Sequence, residues 1–403
     1  MSKYQINLFL SIVILIALIM MDFHQSMTPF WIGPYLSASI NFDWLEFTLY
    51  VNWDEIKEFS KLSNSDMFTY NFTKMNDLTL YDYLAKGLVV ILIIAKKIFF
   101  WQGDLESLQS LQYIVHLILS IFLISLLKKN YQKVLFFLFY AINPIILYFV
   151  NYPYYYFWQV IPSVLFSYWY FNQDKIKNIL YLYSFIFAFI YITRPTVLFL
   201  ILLFYILYMF RTSFKIGFLN LILFLTLINI APNLSIGPWH TMYVGIGAYD
   251  NKYNINLDDG DGYKYYESQT AKIVNSSNIM NSDIKKNYYK VLKNRYIDIL
   301  NENPTMLFKN AILNIFESYS IGYKVGSKNI IYFSAITGLF MIVLLLYTKQ
   351  YILFFAIGFS GGSFSLYFPP IGAYMYGSYI LIVLSVIGII DFFILKRGKK
   401  NEK

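Results

Sequence analysis

The chain has 403 residues, 58% of them apolar, and a mean hydropathy of +0.50, which excludes an ordinary water-soluble domain. Its formal net charge of +9 would suit a nucleic-acid ligand, but the Lys and Arg lie in short segments between apolar runs, which argues against that partner. Without cysteine it has no disulfides and no thiolate for nucleophilic or metal chemistry.

Ten apolar runs follow in chain order: 6–21, 107–127, 134–150, 155–171, 178–193, 196–210, 217–232, 329–348, 351–367 and 372–394. A helix crossing a hydrocarbon core of roughly 30 Å needs about 20 residues. The expected class is therefore an all-α polytopic membrane protein with about ten transmembrane helices. The first run, Ile6–Met21, lacks a small-residue cleavage site after it and reads as a retained helix.

With Lys3 inside, the connections around Lys128–Lys133, Asn172–Lys177, Arg211–Lys215 and Lys349, and the tail Lys396–Lys403, also fall inside. That face carries fourteen basic residues against three acids, whereas segment 22–106 has six Lys against eleven Asp and Glu. The asymmetry predicts cytoplasmic termini. It places two long polar segments, 22–106 and 233–328, on the outer face. Segment 85–101 is apolar too, but counting it as a span would turn the basic clusters outward. Lys86, Lys96 and Lys97 also confine its uncharged core to Gly87–Ala95, so it reads as an interfacial or re-entrant helix.

The expected organisation is an N-terminal bundle with the first outer segment (1–232), a second outer region (233–328), and C-terminal helices with a basic tail (329–403). In the second region, Gly237–Gly262 reads as loop or short strands. Ser268–Ser318 reads as helix, with Asn303-Pro304 as a start signal.

Four stretches carry a resemblance to a known family. They are Asp54-Glu55 with the following Ile56–Ser63; Leu108–Lys129 running on to Ala141-Ile142-Asn143-Pro144; Thr193-Arg194-Pro195; and Pro238–Gly247, which contains Trp239-His240 and Tyr243. Together with the layout of spans and loops they resemble the GT-C class of integral-membrane glycosyltransferases, in particular the protein-mannosyltransferase and aminoarabinose-transferase-like group. The resemblance implies a polyprenyl-phosphate sugar donor, a glycan, lipid or protein acceptor, and an acid of the first outer loop as base. One departure is plain: the acid that such proteins often carry after the Asn-Pro segment is absent, and the stretch reads Tyr152-Pro153-Tyr154-Tyr155-Tyr156-Phe157-Trp158-Gln159.

Glycosyl transfer from a lipid phosphate needs a base for the acceptor hydroxyl and a cation or dipole for the departing phosphate. Asp54 is the expected base, Glu55 the neighbouring choice, and Asp77 a rival with similar local spacing. Arg194 and His240 are the expected phosphate contacts. Trp53, Trp239 and Tyr243, with Trp31, are candidate sugar or acceptor contacts, although aromatic residues also belong at membrane interfaces as such. No cofactor is fixed by the residues and a divalent cation is left open. Asp258-Asp259-Gly260-Asp261-Gly262 misses the EF-hand spacing and reads as a polar turn. The sequons at Asn71, Asn233 and Asn275 carry weight only in a secretory-pathway host. The alternatives are an O-antigen or polysaccharide polymerase and a polysaccharide flippase or transporter. The acidic first loop weighs against the former. Few central charges and no internal repeat weigh against the latter.

Overall fold

In a computed structural model, the described residues are 3–21, 27–44, 48–74, 77–80, 85–230, 237–274, 282–320 and 328–401. Asp22, Glu46, Asp82 and the sequons at Asn233 and Asn275 lie outside them. The described residues are 77% helical, as expected for the all-α membrane class. In chain order its elements are α1 (Lys3–Met20), α2 (Pro29–Ile40), β1 (Tyr50–Val51), α3 (Trp53–Phe59), α4 (Asn64–Thr69), β2 (Thr79–Leu80), α5 (Lys86–Ile98), α6 (Asp104–Leu126), α7 (Asn130–Phe136), α8 (Pro144–Val150), α9 (Tyr155–Trp158) and α10 (Val160–Phe171). They continue with α11 (Leu180–Thr193), α12 (Leu198–Arg211), α13 (Phe214–Ile230), α14 (Trp239–Gly245), α15 (Asp259–Thr270), α16 (Ser282–Glu302), α17 (Pro304–Glu317), α18 (Lys328–Tyr347), α19 (Tyr351–Gly361), α20 (Gly372–Met375) and α21 (Tyr379–Asn401).

Each of the ten apolar runs overlaps a helix, although the run 351–367 is helical only over Tyr351–Gly361 and turns at 362–367. Three unbroken stretches among the described residues are long and apolar enough to cross a membrane: Asp104–Leu126, Lys328–Tyr347 and Gly372–Lys396. A fourth, Asn130–Ala141 with Pro144–Val150, is bent by 52°. The bend has a local cause. Pro144 lacks the N–H that would continue the ladder, and Asn143 starts the next helix by accepting from the Ile145 amide at 2.9 Å. The apolar stretches Ile6–Met20, Leu180–Thr193, Pro195–Arg211, Phe214–Asn229 and Tyr351–Gly361 are shorter.

Two compact units emerge, one of residues 1–233 with 376–403 and one of 234–375. The division thus groups α18 and α19 with the second polar region, whereas hydropathy places them with the C-terminal helix. In the first unit α5 is short, its 13 residues spanning about 20 Å. One face of α5, with Leu88, Val89, Ile91 and Leu92, is buried against α2, α6 and α11. Contact with α11 is closest at Gly87, where a Cβ would stand 2.1 Å from Thr193 Oγ1. Beyond that face, Ile98, Phe100 and Trp101 are exposed.

The second unit corrects two sequence expectations. Gly237–Gly262 contains helix α14, with no strand among its residues. Asp258–Gly262 is not a free turn: Asp258 caps α15 and accepts from the Gly260 amide, while Asp259 and Asp261 fill its first turn. The Asn303-Pro304 signal holds, since Asn303 caps α17 through the Met306 amide at 3.3 Å. Helix α16 is rich in charged residues, but Tyr288, Leu292, Tyr296 and Ile299 form a buried stripe along it. That stripe packs with Tyr243, Val244 and Tyr266 into the core of this unit.

Candidate functional site

The acids of the first polar segment are sorted by one helix cap. Asn52 precedes α3 and accepts from the Glu55 amide at 2.9 Å. Its own amide donates to Ser37 Oγ on α2 (2.9 Å), and its side-chain amide donates to the Asp77 carbonyl (3.2 Å). Consecutive residues of a helix point about 100° apart, so Asp54 and Glu55 face different surroundings. Asp54 is 89% exposed and pairs with Lys57 at 2.9 Å. Glu55 is buried, and its Oε1 accepts from the Thr73 amide (2.7 Å) and hydroxyl (3.1 Å). Asp77 contributes its carbonyl to the cap and is itself exposed. Trp53, the first residue of α3, is half-buried.

Around Glu55 lies a ring cluster of Phe59, Tyr70 and Phe72, with centroids 5.1–5.6 Å apart. The Tyr70 phenol is pushed above its ordinary range by burial first, then by the charges of Glu55, Glu58 and Asp104. Asp104, at the start of α6, is buried, accepts from the Phe72 amide at 2.8 Å and faces Lys96 of α5 at 3.4 Å.

Arg194 ends α11 with its amide bonded to the Ile190 carbonyl at 2.7 Å, just before the turn that Pro195 imposes. Its guanidinium lies 4.6 Å from the Tyr155 ring centroid and 5.4 Å from that of Tyr156. The tyrosine run that departs from the family pattern is therefore the seat of Arg194. Thr196 and Gln159 lock the same turn, the hydroxyl donating to Gln159 Oε1 at 3.3 Å.

Helix α2 joins these two places. Its Gly33 rests against Ile56 and Phe59 of α3, with Ile56 Cγ2 only 3.1 Å from where a Cβ would stand. Two residues on, and so nearly opposite around the helix, Tyr35 meets Tyr154 and Tyr155 edge-on at 6.2 and 6.5 Å. One short helix thus braces the acidic helix α3 on one side and the aromatic seat of Arg194 on the other.

His240, Trp239 and Tyr243 belong to the second unit and share α14. Both ring nitrogens of His240 are engaged there, Nδ1 with the Tyr288 hydroxyl (2.5 Å) and Nε2 with Asp259 Oδ1 (3.0 Å). The bond from His240 holds the Asp259 carboxyl below its usual range, so Asp259 accepts and Nε2 carries the proton. In the neutral ring Nδ1 then accepts from Tyr288, whose phenol burial pushes upward. Tyr263 stacks on the imidazole at 5.7 Å. The arrangement ties α14, α15 and α16 together. Trp239 sits 6.4 Å from the Tyr296 ring with Lys293 over its face, and Tyr243 is buried against Tyr265. Among the described residues no three His, Cys, Asp or Glu side chains come together as metal ligands.

No family model, curated protein or solved structure matches the chain. Sequence reasoning missed Asn52, Thr73, Asp104, Tyr155, Asp259 and Tyr288. Only Asn52 had a local signal, the Asn-x-x-Glu pattern of a capping box.

Proposed function

We propose that the chain is a membrane glycosyltransferase, moving a sugar from a polyprenyl-phosphate donor to a glycan, lipid or protein acceptor on the outer face of a bacterial cytoplasmic membrane. About ten crossings with cytoplasmic termini complete the proposal. The observation that carries it is the bracing of α3 and of the Arg194 seat by the single helix α2. Asp54 lies open to solvent on α3 and takes the proton of the acceptor hydroxyl as that oxygen attacks the anomeric carbon. The bond from the anomeric carbon to the phosphate oxygen breaks, and the phosphate leaves with the electron pair. Arg194 receives the growing charge. The tyrosine rings hold the guanidinium by cation–π contact, and its fork of N–H donors suits phosphate oxygens. Glu55 holds the fold of the acidic segment. Asp77 is the rival base.

The direct test supplies membranes with a polyprenyl-phosphate-linked sugar fraction labelled in the sugar. Label is expected to leave the donor only where the chain is present; equal turnover without it would sink the reading. The topology has its own test, because a chain without cysteine accepts single Cys probes. An impermeant maleimide is expected to label Cys placed at Ser63 and at Ser268 from outside, and at Ser213 only after permeabilisation. The same sidedness at all three would overturn the topology.

A further inference from the structure

Helix α17 presents Asn310, Asn314 and Glu317 at i, i+4 and i+7, along one face, and all three are buried. Glu317 is wholly buried; among the described residues neither of its carboxylate oxygens has a partner at full hydrogen-bond geometry, with the Ser334 hydroxyl as the neighbouring donor. The surroundings are polar without being charged. Tyr249 donates to Asn314 Oδ1 at 2.8 Å, and Ser334 of α18 donates to Ser320 at 2.8 Å. The helices come close at this point: a Cβ on Gly338 of α18 would stand 1.7 Å from the Phe316 carbonyl oxygen. Among the described residues the titratable groups nearby are Tyr249 and, against its ring at 5.5 Å, Tyr332. Lys328 at the start of α18 is paired with Asp250 at 2.9 Å.

A buried carboxylate that meets no counter-charge among the described residues is costly, so its charge must be neutralised where it sits. A carboxyl so perturbed by burial is a candidate functional group. We propose that Glu317, with the Ser334–Ser320 hydroxyl pair beside it, is a binding site for a small monovalent cation, either a proton or Na⁺. Both deliver one positive charge to the two carboxylate oxygens. The site is independent of the glycosyltransferase reading and of the residues assigned to it.

Burial raises the Glu317 carboxyl to about 9, opposed by the Ser334 hydroxyl. The sign follows directly. The folded chain holds a proton that the unfolded chain releases above its own value near 4.5. Proton-linked stability is therefore full below that value and is lost as pH rises toward about 9, by roughly a hundredfold or more in the folding constant between pH 4.5 and 7.

The test is thermal unfolding of the full chain in nanodiscs from pH 5 to 10, in NaCl or choline chloride at equal ionic strength, for wild type and E317Q. A proton site predicts a Tm that falls with rising pH in either salt. A sodium site predicts a Tm raised by NaCl over choline chloride at pH 9.5. Both dependences should flatten in E317Q. A wild-type Tm indifferent to pH and to Na⁺, or a dependence that survives in E317Q, overturns the proposal. Should E317Q fail to fold, infrared spectra of wild type and E317D decide. A protonated-carboxyl band that shifts in E317D and disappears above neutrality, or on adding Na⁺, supports the site. Absence of that band at pH 7 combined with indifference to Na⁺ refutes it.

Discussion

Asp54→Asn is expected to lower sugar transfer by about 10²–10⁴-fold, the usual contribution of a positioned base, with the melting temperature unchanged. The second half of that expectation rests on exposure. A side chain 89% open to solvent, whose pairing with Lys57 is a surface pair on one helix turn, contributes little to folding. Glu55→Gln should behave in the opposite way. It keeps the shape but replaces a carboxylate that accepts twice from Thr73, and it brings an amide donor into a buried place. A loss of about 1–3 kcal/mol is expected, read as a lower denaturation midpoint, with the transfer rate per folded molecule preserved. Asp54→Asn with normal turnover would remove Asp54 as base. If Asp77→Asn then abolished transfer, the rival would take its place.

Arg194→Ala is expected to cost about 2–4 kcal/mol in transition-state stabilisation, on the order of 30- to 1000-fold in kcat/KM. Arg194→Lys should recover only a small part of this. Lysine keeps the charge but not the planar guanidinium beside Tyr155 and Tyr156, nor the fork that would meet two phosphate oxygens together. Kinetics on a defined polyprenyl-phosphate sugar distinguish this from a merely structural role, which Lys would rescue or which would appear as lost expression. Equal rates for Lys and Arg would show that a point charge suffices and that the tyrosines only pack.

The helices were legible because apolar runs of membrane length dominate the composition, and the short α5 because its lysines confine its core. The orientation of two neighbouring acids was not. Whether Asp54 or Glu55 turns inward depends on Ser37 and Gly33 of α2 and on Thr73, which no local pattern connects to α3. The tyrosine run 152–156 stood out as a missing acid, whereas its role is positive and lies 38 residues further on, at Arg194. Likewise Asp259 looked like part of a turn until α16 brought Tyr288 to the other side of His240. Such partners are fixed by packing, and periodicity reports only which face is apolar.

The brevity of several helices has a consequence for the lipid around them. Helix α11 has 14 residues and α19 has 11, which makes them about 21 and 17 Å long, against a hydrocarbon thickness of roughly 30 Å. If these segments cross as the proposed topology has them, the bilayer around them must thin or pucker, at a fraction of a kcal/mol per Å of mismatch. Where α11 ends, that puckering would, on the proposed topology, draw the headgroup plane down toward Arg194. A polyprenyl phosphate diffusing in the leaflet would then meet the guanidinium without lifting its chain out of the membrane.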